Sequence, residues 1–314
     1  WALPLSSALT SYSRLRTGIG AKKLIFRLDF HTYIIFSETI MSEPAKKIYK
    51  PTPISGFPEW LPEYRVVEQQ WLDHIRNVFE SYGFCNIETP AVEELDVLTA
   101  KGETDKEIYT LTRLQAEDQD DNESRLGLHF DQTVPLARYT AQHFNELVFP
   151  FKRYQIQKVW RGERPQLGRM REFRQCDIDV INVEYLPLQF DAEMPSVIYE
   201  ALAGLNIGRI QLHISNRKIL LGLLGAFDVT DTISVTRTVD KLDKIGQDGV
   251  RDELQTMGLS AKAVDSILDL VVNSDIYTTQ AHNDEMREGL DELQFVMDQL
   301  AHLPDGAVTA DLSI

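Results

Sequence analysis

Cysteine is scarce in this chain: Cys85 and Cys176 are the only two among 314 residues. That excludes a disulfide scaffold, favours a reducing compartment, and leaves no pair of cysteines at the spacing of a zinc knuckle. Long apolar runs are missing too, since no window approaches the roughly 18 uninterrupted apolar residues that a membrane span requires. The chain therefore reads as soluble. Neither a G-x-x-x-x-G-K-[ST] phosphate loop nor a Gly-rich dinucleotide fingerprint is present, and no internal repeat is visible. Positive charge is in short supply, with 32 Lys+Arg against 48 Asp+Glu and a formal charge of -16. Taken alone, that balance argues against a general nucleic-acid binder, which needs clustered Lys and Arg to neutralise phosphates. Any such role must rest on a local basic site.

What is present is ordinary globular material, 43% hydrophobic and 9% aromatic, long enough for two domains or one large one. Residues 1–40 differ from the rest. They hold five basic residues (Arg14, Arg16, Lys22, Lys23, Arg27) and two acidic ones (Asp29, Glu38). Met41, followed by Ser42-Glu43-Pro44, reads as a natural start. Residues 1–40 are expected to be either a non-native or upstream extension, the favoured reading, or a cleaved targeting segment.

From Met41 onward, helix and strand patterns alternate. Val67, Trp71, Ile75, Val78 and Tyr82 recur at helical spacing and Gly83 supplies a stop, which predicts a long amphipathic helix. Strands are predicted over 84–89, 108–114 and 126–130, with an exposed loop over 115–123. Thr133 to His143 has a helix start with Pro135 in its first turn, and 149–160 and 173–183 read as a pair of long strands. A helix over 192–203, a strand over 210–215 and a helix from Lys218 follow. Residues 228–300 are wholly helical and acidic in pattern, so they are expected to form a small domain inserted into the sheet domain. The predicted architecture is α+β, an antiparallel sheet flanked by helices. Its divisions are a core over 41–227, the helical insertion over 228–300, and a return to the core over 301–314.

The chemistry concentrates between Arg161 and Asp179. Arg161, Arg164, Arg169, Arg171 and Arg174 fall within 14 residues of an acidic protein, in a loop shaped by Pro165 and Gly168 between two strands. Guanidinium forks match phosphate geometry and stay charged, so this is a candidate polyphosphate site; a solvated basic hairpin is the plainer alternative. Any nucleotide bound here would lie on an antiparallel sheet.

The run Arg161 to Phe173 resembles motif 2 of class II aminoacyl-tRNA synthetases. The spelling Glu163-Arg164-Pro165-Gln166, Gly168-Arg169, Arg171-Glu172-Phe173 and Gln175 is similar to the histidine-specific branch. Ile54 to Pro62 and the helix after it resemble that family's motif 1 region. His129-Phe130-Asp131-Gln132-Thr133-Val134-Pro135 resembles its substrate-binding segment, with Gln132 where an apolar residue, commonly Leu, is expected. Asp240 to Gly246 is spelled like part of its helical insertion domain. The resemblance covers about Pro51 to Ile314. It also implies that the histidine-specific loop, motif 3 and the anticodon-binding domain would follow Ile314, so the chain is expected to be an incomplete synthetase that does not form adenylate by itself.

The resemblance implies a cytoplasmic, homodimeric histidine–tRNA ligase acting on histidine, ATP with Mg²⁺, and tRNA(His), with no resident metal site. Joining a carboxylate to the α-phosphate of ATP needs a cation to neutralise developing charge, and Arg161 is the candidate catalytic residue. By the family match, Glu163 lies near the adenine, Phe173 stacks on it or else packs in the core, and Arg169 or Arg171 holds the β and γ phosphates, which Mg²⁺ bridges. Arg164 and Gln166 meet the acceptor end of tRNA or are simply solvated. Histidine presents N–H donors from its ring and its ammonium, so its pocket must offer acceptors, and Asp131, Thr133, Gln175 and Asp179 fit. Phe173, Gln175, Asp177 and Asp179 alternate along a strand and so share one face. Asp131 is a helix N-cap as readily as a ligand, and Cys176, on the opposite face, reads as a small core residue. Two rival readings are a synthetase-like regulatory subunit of ATP phosphoribosyltransferase, which charges no tRNA, and a non-catalytic interaction protein.

Overall fold

A computed structural model describes residues 50–101, 107–112, 125–273 and 275–314, together with the strands β1 (Ile25–Leu28) and β2 (Thr32–Ile35). The chain divides into two units, 1–52 and 53–314. In the first, β1 and β2 pair antiparallel with Ile25 opposite Ile35. The exposed loop predicted over 115–123 lies outside the described residues.

The second unit opens with helix α1 (Pro62–Ser81), which has Pro62 at its first position and Glu63 in its first turn, where proline loses no hydrogen bond and an acid complements the helix dipole. Its end follows from Gly83, whose φ of +81° is costly for other residues. Gly83 N donates to Glu80 O at 3.0 Å and Phe84 N to Phe79 O at 3.1 Å, the paired bonds of a Schellman stop, with Phe79 and Phe84 packed in one cluster.

Strand β3 (Cys85–Asn86) is much shorter than the stretch 84–89 expected, and β4 (Val92–Glu94) with the one-turn helix α2 (Leu95–Leu98) has no counterpart in the expectations. Next come β5 (Thr110–Leu111), β6 (Leu126–Leu128), α3 (Thr133–Gln142), β7 (Phe151–Trp160) and β8 (Glu172–Ile181). β7 and β8 form a ten-residue antiparallel ladder, from Phe151 opposite Ile181 to Trp160 opposite Glu172, and β3 runs parallel along the other edge of β7. β4, β6 and β5 make a small antiparallel sheet in that order. The sequence expectation of an antiparallel sheet flanked by helices is met, with parallel pairing where β3 joins it.

Side chains directly opposite in a ladder share a face, so the register sorts β7 and β8 into two layers. Tyr154, Ile156, Cys176, Ile178 and Val180 pack with Val78 and Phe79 of α1 and with Val197 and Ala201 of α4 (Gln189–Ala203). The other face is polar, and the candidate site lies on it.

The remaining elements are β9 (Leu212–Ile214), α5 (Arg217–Ala226), α6 (Thr232–Val239), α7 (Leu242–Thr256, interrupted at Gly246), α8 (Ala261–Asn273), α9 (Asp284–Gln299) and β10 (Val308–Ala310). One apolar cluster joins Ile219, Leu223 and Leu224 of α5 to Val235, Leu254, Ile267 and Leu293 of the later helices, and takes in Leu312. The apolar face of α5 is covered by α9, and β10 pairs parallel with β9. Among the described residues no helix is long and apolar enough to cross a membrane.

Candidate active site

The arginine loop joins β7 to β8, and its base is tied down while its tip is not. Arg161 N donates to Arg171 O at 2.8 Å, Gly162 N to Glu107 O at 2.7 Å, and Arg171 N and Glu172 N both reach Gly56 O, at 2.8 and 3.1 Å. Gly56 has φ +83°, and a Cβ there would stand 2.8 Å from Arg171 Cγ, so only glycine lets the 54–58 stretch lie this close to the loop. At the tip, Gln166 and Arg169 exchange backbone bonds of 3.0 Å across a two-residue turn. Gly168, φ +78°, takes the third turn position, which requires positive φ in a type II turn. Arg164, Gln166 and Arg169 are exposed there, with Arg169 3.8 Å from the Glu163 carboxylate. Arg171 is held further in, donating through Nε to Glu163 O at 3.0 Å.

Arg161 is half-buried. Its Nε donates to Phe130 O at 3.1 Å, and its guanidinium carbon lies 5.2 Å from the centre of the Phe173 ring. Arg161 and Phe173 are thus adjacent, and the remaining N–H donors of the fork give it the reach a phosphate demands. The Phe130 carbonyl is available to it because the preceding residue is fixed: His129, fully buried, bonds Lys158 O through Nε2 at 2.7 Å and stacks on Trp160.

Beyond Phe173 the polar face continues as three cross-strand pairs, Gln157 with Gln175, Gln155 with Asp177, and Arg153 with Asp179. Burial holds the Asp177 and Asp179 carboxyls above the usual carboxylate range, a rise that the Arg153 guanidinium offsets only in part. Asp131 is near enough to push Asp177 up further. Asp131 stands one residue before Gln132, the N-cap of α3, and its Oδ1 accepts from Thr133 N at 3.2 Å and Val134 N at 3.4 Å, which engages one carboxylate oxygen at the start of that helix. Thr133 itself is exposed at the start of that helix.

Gln132, the residue out of keeping with its motif, is completely buried. Its amide donates to the backbone carbonyls of Gln175 (3.1 Å) and Gln157 (3.3 Å), so it bridges β8 and β7 where an apolar side chain would only fill space. Gln157 holds Thr89 at both backbone groups, accepting from Thr89 N at 3.1 Å and donating to Thr89 O at 2.8 Å, while Gln155 donates to the Thr89 hydroxyl at 2.9 Å. Sequence reasoning assigned no role to Arg153, Gln155, Gln157 or Thr89. A signal existed for three of them, since polar residues at 153, 155 and 157 alternate with apolar ones on a strand. Cys176 lies in the apolar layer as expected. Burial, with Asp177 adding to it, pushes its thiol up to about 11, which leaves no thiolate for chemistry near neutral pH.

The family profile described as "Histidyl-tRNA synthetase" matches residues 56–314. A histidine–tRNA ligase of Thermobifida fusca is 57% identical over 283 residues, covering 87% of this chain and 64% of the relative. That of Clostridium tetani is 41% identical over 281 residues, covering 86% and 62%. The crystal structure of histidyl-tRNA synthetase from Nostoc sp. PCC 7120 superposes with a TM-score of 0.76 at 40% identity, covering 85% of this chain and 62% of that one. A Bacillus halodurans structure, titled an ATP phosphoribosyltransferase regulatory subunit/histidyl-tRNA synthetase, has a TM-score of 0.70 at 20% identity and shares the fold. The chain thus spans just under two thirds of the length of these curated relatives. With a family match over residues 56–314 and 57% identity to a curated relative, the chain belongs to the histidyl-tRNA synthetase family.

Proposed function

We propose that this protein is a histidine–tRNA ligase, which activates histidine with magnesium-bound ATP and passes the histidyl group to tRNA(His) in the cytoplasm. The observation that carries the reading is the adjacency of Arg161, beside Phe173, to a carboxylate-lined polar face on the same two strands. A carboxylate and a triphosphate repel each other. Arg161 offsets that repulsion at the α-phosphate, where charge builds as the acyl–phosphate bond forms and pyrophosphate leaves. Phe173 offers its ring to the adenine, Glu163 lies beside the base, and Arg169 or Arg171 reaches the outer phosphates. Magnesium enters as part of the ATP substrate. Asp131, Thr133, Gln175 and Asp179 receive the N–H donors of histidine, and Arg164 and Gln166, exposed at the loop tip, meet the tRNA acceptor end. The rival regulatory-subunit reading is not favoured by 57% identity to a ligase, against 20% to the structure whose title includes that role.

Histidine-dependent exchange of pyrophosphate into ATP by the full-length protein is the test. Exchange that responds to no amino acid, or to another as well as to histidine, would retire the reading.

Assembly is part of the same proposal. The apolar stripe predicted along α1 divides in two: Ile75, Val78 and Tyr82 pack inside this chain, whereas Tyr64, Val67 and Trp71 remain 58%, 43% and 41% exposed, next to Trp60 at 52%. Exposed aromatic residues at helical spacing suit a symmetric contact with a second copy. Light scattering of the full-length protein is expected to give a dimer, and Trp71→Glu to shift it toward monomer; a clean, well-folded monomer from the unaltered protein would count against this.

A further inference from the structure

Arg153 has no part in the chemistry proposed above, yet it is the most deeply buried charge on the site face. It has no solvent exposure and stands directly across the ladder from Asp179, whose carboxylate it pairs with through Nη2. None of its three guanidinium nitrogens makes a well-aligned hydrogen bond, so its hold on Asp179 is an ion pair at a single nitrogen, Nη2. Asp177, the next residue on that face, feels the same guanidinium as well as repulsion from Asp179 and Asp131. Asp177 and Asp179 therefore share one cation, with Asp131 acting on Asp177 as a further negative charge.

Stability gives little reason for the pair. Burying a guanidinium costs several kcal/mol that one carboxylate hardly repays, and an apolar pair of similar volume serves a fold as well or better. The opposite face of these strands shows such packing, with Tyr154 against Ile178 and Ile156 against Cys176. What the guanidinium does achieve is to oppose the rise that burial imposes on the Asp179 carboxyl and so favour the ionised acceptor; a neutral acid would present a donor to a donor.

We infer that Arg153 is a positioning residue for amino-acid recognition: its buried guanidinium, paired through Nη2, holds the Asp179 carboxylate in place as an acceptor for an N–H of the amino acid, and the negative charge of Asp177 and Asp131 beside it is left for the amino acid's ammonium. This rests on the reading that Asp179 contacts histidine.

The test compares Arg153→Gln, Arg153→Lys and Asp179→Asn in the full-length protein, reading KM for histidine and for ATP separately by pyrophosphate exchange. Arg153→Gln is expected to raise the histidine KM about tenfold or more and Arg153→Lys about threefold or more, because an ammonium on an unbranched stem does not stand where Nη2 stands, with the ATP KM within about twofold in both. Lysine keeps the charge, so its result decides the matter even if the glutamine variant does not fold. An unchanged histidine KM in Arg153→Lys, or both KM values rising together, overturns the inference. If Asp179→Asn raises the histidine KM and the Arg153 variants do not, the positioning role alone is lost; if Asp179→Asn changes nothing, the assignment of Asp179 falls and takes the inference with it.

Discussion

Replacing Arg161 by alanine is expected to slow adenylate formation by at least about 100-fold, the scale on which one preorganised charge-stabilising donor acts. The geometry supports an effect of that size. Arg161 is fixed at both ends, by its backbone bond to Arg171 O and by Nε on Phe130 O, and its guanidinium lies against the Phe173 ring. The fork is in position before any phosphate arrives, so little reorganisation is left to the reaction itself. Arg161→Lys retains the charge but not the planar fork, and is expected to recover only part of the loss. Single-turnover adenylate formation at saturating histidine and ATP is the measurement. A near-normal rate for Arg161→Ala would remove this residue from the mechanism and leave the loop's other arginines to account for the charge.

The second large effect is on stability and lies in the helical part. α5 and α9 cross so closely that a Cβ on Gly222 would stand 2.5 Å from Met286 N, and one on Gly289 would stand 2.9 Å from Ile219 N. Asn283 locks the crossing, its Oδ1 capping α9 at Met286 N (2.9 Å) and its Nδ2 donating to Gly222 O (2.7 Å). Alanine in place of glycine within a helix ordinarily gains about 1 kcal/mol. At Gly222 that gain is outweighed by overpacking of about 1–3 kcal/mol and by loss of a cap worth about 1 kcal/mol. Gly222→Ala is therefore expected to destabilise by about 2 kcal/mol, read as a lower urea midpoint at unchanged slope. A midpoint at or above that of the unaltered chain would mean that the two helices do not meet there.

Much of the fold is legible in the sequence because its signals are local. The period-two alternation of 149–160 and 173–183 about a loop with Pro165 and Gly168 specifies a hairpin, and the structure builds it as Phe151–Trp160 with Glu172–Ile181. Gly83 specifies the end of α1 because only positive φ closes that turn. The short elements escape such reading. β3 and β5 have two residues each and exist only through the strands beside them, and β10 is a strand because β9 lies alongside.

The candidate site divides in the same way. Its arginine loop and the shared face of Phe173, Gln175, Asp177 and Asp179 follow from spacing along one strand. Opposite which residues of the other strand these stand does not. A slip of one residue in the ladder would put Tyr154 rather than Arg153 across from Asp179, and every β7 side chain would change faces. That register is set by the packing of Tyr154, Ile156, Cys176 and Ile178 against α1 and α4, far away in the chain. The sequence by itself determined the long helices, the β7–β8 hairpin and where charge accumulates. Only the tertiary structure decided that Gln132 bridges two strands, that the stripe of α1 is half used within the chain, and that Arg153 faces Asp179, because each depends on contacts between segments whose separation along the chain says nothing of their distance in space.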